Sequence, residues 1–149
     1  MIEAKPQLEA KLKHNIVKWH SQTYPERHGA LWEVNNDTHG MKQAMHRRAM
    51  GMISGVADLH IIAGGRSGAI ELKAPGSRHG TEHIRNQFTW GAVFAENGGW
   101  YIMSSDEIEI REFMQAFING EEYLLASICN SALRRVLAKL EQGNKSVTF

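Results

Sequence analysis

Residues 55–73 read Gly-Val-Ala-Asp-Leu-His-Ile-Ile-Ala-Gly-Gly-Arg-Ser-Gly-Ala-Ile-Glu-Leu-Lys, and this stretch decides the fold. Two apolar runs, 56–63 and 69–74, flank a Gly-Gly-Arg-Ser-Gly turn, a pattern that predicts a β-hairpin. Each predicted strand carries one carboxylate among apolar residues, Asp58 in the first and Glu71 in the second. Lys73 follows Glu71 by two positions, so strand alternation places both on one face.

This predicted cluster of charges needs compensation. Two carboxylates and an ammonium group on one sheet face are costly to bury unless another group neutralises them. No cysteine or histidine stands at a recognisable ligand spacing, so the oxygen donors favour Mg²⁺ or Mn²⁺ over zinc. Such a cation orients and acidifies a water, while Lys73 can stabilise charge that develops on a phosphate. The residues thus predict a metal site built on Asp58 and Glu71.

The composition is that of one globular domain spanning residues 1–149, with 42% hydrophobic and 22% charged residues. Seventeen basic against sixteen acidic residues give a net charge of +1, so nucleic-acid binding would depend on local basic patches. The sequence shows neither a signal-peptide pattern nor an apolar run long enough for a membrane span, so we expect a cytoplasmic protein. The single cysteine, Cys129, lies in an apolar helical setting that predicts a buried thiol.

The hydrophobic periodicity predicts an α/β domain with the element order α-β-(α)-β-β-α-β-α-α. Helices are predicted over 7–20, 41–50, 81–97, 107–118 and 121–142, and further strands over 30–35 and 100–104. Thr81 and the pair Ser105-Asp106 are the predicted N-caps, and 75–80 is a predicted flexible loop.

Three of these helices carry apolar stripes that predict burial. The stripes are Met41, Ala44, Met45 and Ala49; then Ile84, Phe88, Gly91, Ala92 and Ala95; then Leu124, Ile128, Ala132, Val136 and Leu140. The last stripe is broadened by Leu125, Cys129, Leu133 and Leu137. So wide a face can serve either the core or a partner subunit.

Three segments together resemble the PD-(D/E)xK nuclease superfamily: Gly55-Val-Ala-Asp58, Ile70-Glu71-Leu72-Lys73-Ala74, and Gln87. Within it, residues 8–104 are similar to the virus-type replication-repair nuclease (VRR-NUC) family, in particular its small stand-alone phage and bacterial members. The resemblance implies a restriction-endonuclease-like core with a mixed central sheet flanked by helices.

The resemblance also implies roles for individual residues. Asp58, Glu71 and the Leu72 carbonyl are the implied metal ligands, Lys73 is the implied catalytic lysine, and Gln87 matches a helix glutamine that orients the site.

An acid and an asparagine complete the family pattern. Glu9 matches the acid of the N-terminal helix and is a further implied metal ligand, with Glu3 as its rival. Without the resemblance, Glu9 reads as a solvated first-turn glutamate. Either Asn35 or Asn36 matches the family asparagine. Many relatives have proline where this chain has Ala57, which affects the rigidity of the turn rather than its ligands.

The implied activity is Mg²⁺- or Mn²⁺-dependent cleavage of DNA in repair or recombination. Stand-alone members resemble homodimeric endonucleases that act on four-way (Holliday) junctions, whereas flap or duplex DNA is the alternative substrate. The candidate phosphate contacts are Lys42, Arg47, Arg48, Arg66 and Arg78. The first three read equally well as a solvated helix face.

Three other readings compete with a nuclease. Asp58, Glu71 and Lys73 could form a metal-free salt-bridge network. A zinc or hydrolase site could be built from the scattered histidines His39, His46, His60, His79 and His83. Alternatively, the chain could be a DNA-binding module without catalysis. Of the histidines, His60 alternates onto the same face as Asp58.

Overall fold

The computed structural model describes residues 5–35 and 37–149. Its helices are α1 (Lys5–Thr23), α2 (Gly40–Ala49), α3 (Thr81–Glu96), α4 (Glu107–Asn119) and α5 (Glu122–Glu141), with a 3-10 turn at Pro25–Arg27. Its strands are β1 (Leu31–Glu33), β2 (Leu59–Ala63), β3 (Arg66–Leu72), β4 (Arg78–Gly80), β5 (Trp100–Ser104) and β6 (Ser146–Thr148). The predicted order is confirmed, with β4 and β6 as additions. None of the described helices is long and apolar enough to cross a membrane.

The central sheet has four strands in the order β1-β2-β3-β5. The first two pairings are antiparallel and the β3–β5 pairing is parallel, so the sheet is mixed, as predicted. Ala63 pairs with Arg66, which leaves only Gly64 and Gly65 in the hairpin turn. Both glycines have positive φ (53° and 77°), the conformation that two-residue hairpin turns require. The turn is therefore tighter than the five-residue turn predicted.

The main core lies on one face of this sheet. Its buried residues include Leu59, Ile61, Ile70, Leu72 and Ile102 from the strands and Ile16, Phe113, Phe117 and Leu125 from α1, α4 and α5. Full burial of each such side chain stabilises the fold by about 1.5–3 kcal/mol.

Helix α3 covers the opposite face and reaches β5 at very short range. A Cβ added at Gly91 would lie 2.4 Å from the ring of Tyr101, so only glycine permits this approach. A second buried cluster joins Ile84 of α3 to Met103 of β5 and to Val136 of α5. This packing fixes α3 over the strand that neighbours β3.

The prediction of a buried methionine stripe in α2 is wrong. It buries no residue, and Met41 and Met45 are 80% and 64% exposed. Ala92 and Ala95 of α3 are also exposed, contrary to prediction. Helical periodicity shows that one face is apolar, but it does not show that another element covers that face.

The predicted flexible loop at 75–80 is ordered instead. Its end forms β4, which pairs antiparallel with β6 near the C-terminus. Gly80 occupies the N-cap position of α3, and Thr81, the first helical residue, donates its hydroxyl hydrogen to the Asn144 carbonyl at 2.5 Å. Thr81 is therefore not the N-cap. Asp106 caps α4 as predicted, accepting from the backbone N–H groups of Ile108 and Glu109.

Helix α5 divides its wide apolar surface between the core and solvent. Most of the predicted stripe is buried, namely Ile128, Ala132, Val136 and Leu140, but Leu124 is exposed. Leu133 and Leu137 are exposed as well. Cys129 is only partly buried, and burial raises the pKa of its thiol to about 12.

Candidate active site

Asp58 lies directly before β2 rather than inside a strand, since β2 begins at Leu59 and not at residue 56. Its Oδ2 atom accepts a hydrogen bond from the Leu72 backbone N–H at 2.8 Å. Val34 donates its backbone N–H to the Asp58 carbonyl at 2.9 Å. Leu59 pairs with Ile70, so the strand register places Asp58 opposite Glu71.

The turn before Asp58 is fixed against α3. Gly55 has a φ of +86°, and a Cβ there would lie 2.9 Å from the Asn86 carbonyl oxygen. Asn86 donates from Nδ2 to Ser54 Oγ at 2.8 Å. Ala57, at the position where the resemblance implied a proline in many members of the family, is fully buried. Packing rather than a proline ring therefore restrains the turn.

Glu71, Lys73 and Gln87 form a buried hydrogen-bonded group. Glu71 and Lys73 are each 2% exposed. Lys73 Nζ donates to Glu71 Oε1 at 2.9 Å, and Gln87 Nε2 donates to the same oxygen at 2.6 Å. Glu71 Oε2 and Gln87 Oε1 are buried without a hydrogen-bond partner within the described part of the chain. Buried polar atoms are normally paired, so these two mark a place for an additional group.

Burial and mutual repulsion disfavour ionisation of the carboxylates. Burial, reinforced by Asp58 and opposed by Lys73, raises the pKa of Glu71 to about 8. Burial raises the pKa of Asp58, although the hydrogen bond from Leu72 opposes this. Burial and the neighbouring Asp58 raise the pKa of the partly buried Glu9. Asp58 therefore contributes to the raised pKa of Glu9, and Glu9 in turn contributes to that of Glu71.

Glu3 and Asn36, the alternatives to Glu9 and Asn35 in the family pattern, lie outside the described residues. Asn35 accepts from the Asp37 backbone N–H at 2.8 Å through Oδ1, so its amide oxygen stabilises the loop before α2.

The donor set fits a hard cation better than zinc. Across residues 5–35 and 37–149, no three His, Cys, Asp or Glu side chains are grouped so as to hold a metal ion. His79 and His83 stack at 6.4 Å between ring centroids but recruit no third ligand of this kind. A cation here would need Asp58, Glu71 and a backbone oxygen such as that of Leu72. The unpartnered Glu71 Oε2 and the raised carboxyl pKa values fit that requirement.

The basic residues of α2 differ in their surroundings. Arg47 donates to the carbonyl oxygens of Asp37 and, at 2.9 Å, of Asn35, so its guanidinium holds the preceding loop. Lys42 and Arg48 are exposed. Phosphate contacts by these three residues stay predictions.

The other two candidate phosphate contacts lie on strands. Arg66 is at the hairpin end of β3, at the opposite end of that strand from Glu71, and donates to the Phe117 carbonyl at 2.8 Å. Arg78 is exposed on β4 and donates from Nε to Ser146 Oγ at 2.7 Å. The structure does not bring Arg66 to the carboxylates, and its DNA contact stays a prediction.

An aromatic cluster beside the carboxylates was largely missed by the sequence analysis, which singled out only His60. The His60 ring centroid lies 5.9 Å from Trp32, 5.6 Å from Trp90 and 6.1 Å from Phe94. Trp32 and His60 are cross-strand partners. The sequence did contain an indication of this cluster, because Trp90 and Phe94 have the i, i+4 spacing that brings two side chains together on one helix face. Trp90 lies about one helical turn after Gln87.

The mixed sheet, the lysine directly after β3 and the helix glutamine are consistent with the restriction-endonuclease-like core predicted from the sequence. The structure is similar to a solved structure described as a VRR_NUC domain protein, with a TM-score of 0.54 and 18% identity. The match covers 80% of this chain and 92% of that one. This similarity confirms the predicted VRR-NUC fold. No protein-family model and no curated protein matches the sequence.

Proposed function

We propose that the chain is a Mg²⁺- or Mn²⁺-dependent DNA endonuclease that hydrolyses phosphodiester bonds. The proposal depends on the buried Glu71 carboxylate, which has two donors on one oxygen and none on the other, beside Asp58. In a metal-free network, burial leaves Glu71 mostly protonated at neutral pH, since its pKa is raised to about 8, and its ionisation would place two carboxylates beside one ammonium group in a largely buried place. A bound cation removes that cost.

Each residue then has a distinct task. Asp58, Glu71 and the Leu72 carbonyl would hold the cation, which when bound supplies positive charge at the phosphate and lowers the pKa of a water. Lys73, held 2.9 Å from Glu71, would stabilise negative charge that develops on the scissile phosphate. Gln87 orients the Glu71 carboxylate, and Glu9 adds a further acidic group at the rim.

We take the substrate to be a four-way DNA junction and the active form to be a homodimer. A two-fold dimer presents two equivalent sites to the two symmetric strands of a junction. Exposed Leu133 and Leu137 support the dimer. Leu133 also lines an open, largely apolar groove of about 520 Å³ between α3, β5 and α5.

The decisive experiment is cleavage of labelled four-way junction, flap and duplex DNA with Mg²⁺ or Mn²⁺. Wild type is compared with Lys73→Met, which retains the apolar stem and removes the ammonium group. Paired symmetric nicks in the junction, lost in the variant, would support the dimeric resolvase. Cleavage restricted to flaps or duplex would retain the active site and reject the junction substrate. Absence of metal-dependent cleavage would reject the nuclease.

A further inference from the structure

We propose that Trp32, His60, Trp90 and Phe94, here called the aromatic cluster, bind one unstacked base of the DNA beside the site of cleavage. The inference rests on the proposed nuclease function and adds a substrate feature to it. The ligand is a nucleobase whose faces are free, as at an unpaired position next to a branch.

The aromatic cluster runs from the edge of the sheet to α3. Trp32 lies on β1, the edge strand, and its side chain is 41% exposed. His60 on the neighbouring β2 lies between Trp32 and the rings of α3. Trp90 and Phe94 stack on each other at 5.1 Å with an interplanar angle of 19°. The cluster thus has a packed inner side and an outer side open to solvent.

The aromatic cluster is continuous with the candidate active site. His60 follows Asp58 by two residues, a distance of about 7 Å along an extended chain. Trp90 lies one helical turn after Gln87, which donates to Glu71. A strand whose phosphate lies at Asp58 and Glu71 therefore has a neighbouring base within reach of Trp32.

The chemistry of the aromatic cluster matches a base better than an ordinary apolar core. Aromatic rings bind the faces of unpaired bases by stacking, and each stacked base contributes about 1–3 kcal/mol. His60 Nε2 is buried and has no hydrogen-bond partner in the described chain, which is unusual for a polar atom in a structural cluster. A purely structural cluster would gain by covering Trp32 and pairing this nitrogen. In duplex DNA, stacking neighbours cover the base faces, so the aromatic cluster selects unpaired positions.

The test uses the Lys73→Met protein and two DNAs labelled with 2-aminopurine, one at an unpaired position next to a branch and one paired within a duplex. We expect binding to quench the unpaired label. Adding Trp32→Leu should weaken binding of the branched DNA by about 5- to 140-fold and leave duplex binding unchanged. Trp32→Phe should retain most of the affinity, because a ring remains. Tyr123→Leu, at a 97% exposed aromatic residue of α5, is the matched control and should change the binding of neither DNA.

Equal loss of affinity for both DNAs, or no quenching, would overturn the proposal, as would failure to bind either DNA. Cleavage of the same DNAs by the Lys73-containing protein separates the two hypotheses. If the protein cleaves DNA but Trp32→Leu does not weaken binding of the branched DNA, the base site is rejected and the nuclease function is retained. Base-dependent binding without cleavage supports the base site and rejects the nuclease.

Discussion

Asp58 and Leu72 are joined by a 2.8 Å hydrogen bond from the Leu72 backbone N–H to the Asp58 carboxylate. This bond ties the residue before β2 to the last residue of β3, and it involves only the Oδ2 atom of Asp58. A substitution at Asp58 can therefore remove the negative charge and still keep an oxygen that accepts this hydrogen bond.

Asp58→Asn is expected to remove metal binding with little loss of stability, because an amide oxygen can still accept from Leu72. Asp58→Ala also leaves the buried N–H unpaired and should cost about 1–3 kcal/mol of unfolding free energy. For wild type, Mn²⁺ at 100 times its dissociation constant should add about 2.7 kcal/mol, measured by thermal unfolding. Neither variant should show this gain. Asp106→Asn, at the N-cap of α4, is the control that should retain it; an undiminished gain in Asp58→Asn would reject Asp58 as a ligand.

Gln87→Met is expected to reduce kcat/KM for DNA cleavage by about 10- to 100-fold, the range for groups that orient metal ligands. Methionine is similar in volume but cannot donate to Glu71 Oε1, which Gln87 Nε2 contacts at 2.6 Å. The variant should still fold, since it replaces a buried amide that has one unpartnered oxygen. Gln115→Met, at an exposed position of α4, is the control. Equal activity of the two variants would show that Gln87 has no orienting role.

Much of the candidate site could be predicted because it depends on local geometry. Strand alternation places Glu71 and Lys73 on one side, and a hairpin brings Asp58 near Glu71. The direct pairing of Asp58 with Glu71 depends on the two-residue turn, which is shorter than the five-residue turn predicted. The position of Gln87 required more, because only packing of α3 on β5 shows that its amide reaches Glu71.

The errors have a common physical origin in contacts between distant segments. The β4–β6 pairing joins three-residue strands that are far apart in sequence, so neither had a detectable pattern by itself. The methionines of α2 have helical spacing, yet none of the described elements covers Met41 or Met45. Local pattern predicts which face is apolar, whereas tertiary structure decides whether that face is buried.

Gly55→Ala should destabilise the protein and impair metal binding, because the turn before Asp58 requires glycine. The residue has positive φ, and the added Cβ would lie 2.9 Å from the Asn86 carbonyl oxygen. Gly29→Ala is a matched control, since Gly29 has a similar φ of +88° but nothing within 4 Å of an added Cβ. It should cost only about 1 kcal/mol, the penalty of the backbone conformation. Chemical denaturation of both variants should show a larger loss for Gly55→Ala; equal losses would show that the contact with Asn86 relaxes freely.

The exposed leucines of α5 provide the test of the homodimer. Leu133 and Leu137 lie one helical turn apart, and Leu133 borders the groove formed with α3 and β5. We expect wild type to sediment as a dimer at micromolar concentration and the double variant Leu133→Glu, Leu137→Glu to sediment as a monomer, because carboxylates would have to be desolvated in the interface. Ile108→Glu, at an exposed apolar residue of α4, is the control and should remain dimeric.

Since a monomer presents only one site, the double variant should still nick DNA but lose the paired cleavage of a four-way junction. A wild-type monomer would reject the dimer, and a dimeric double variant would place its interface elsewhere.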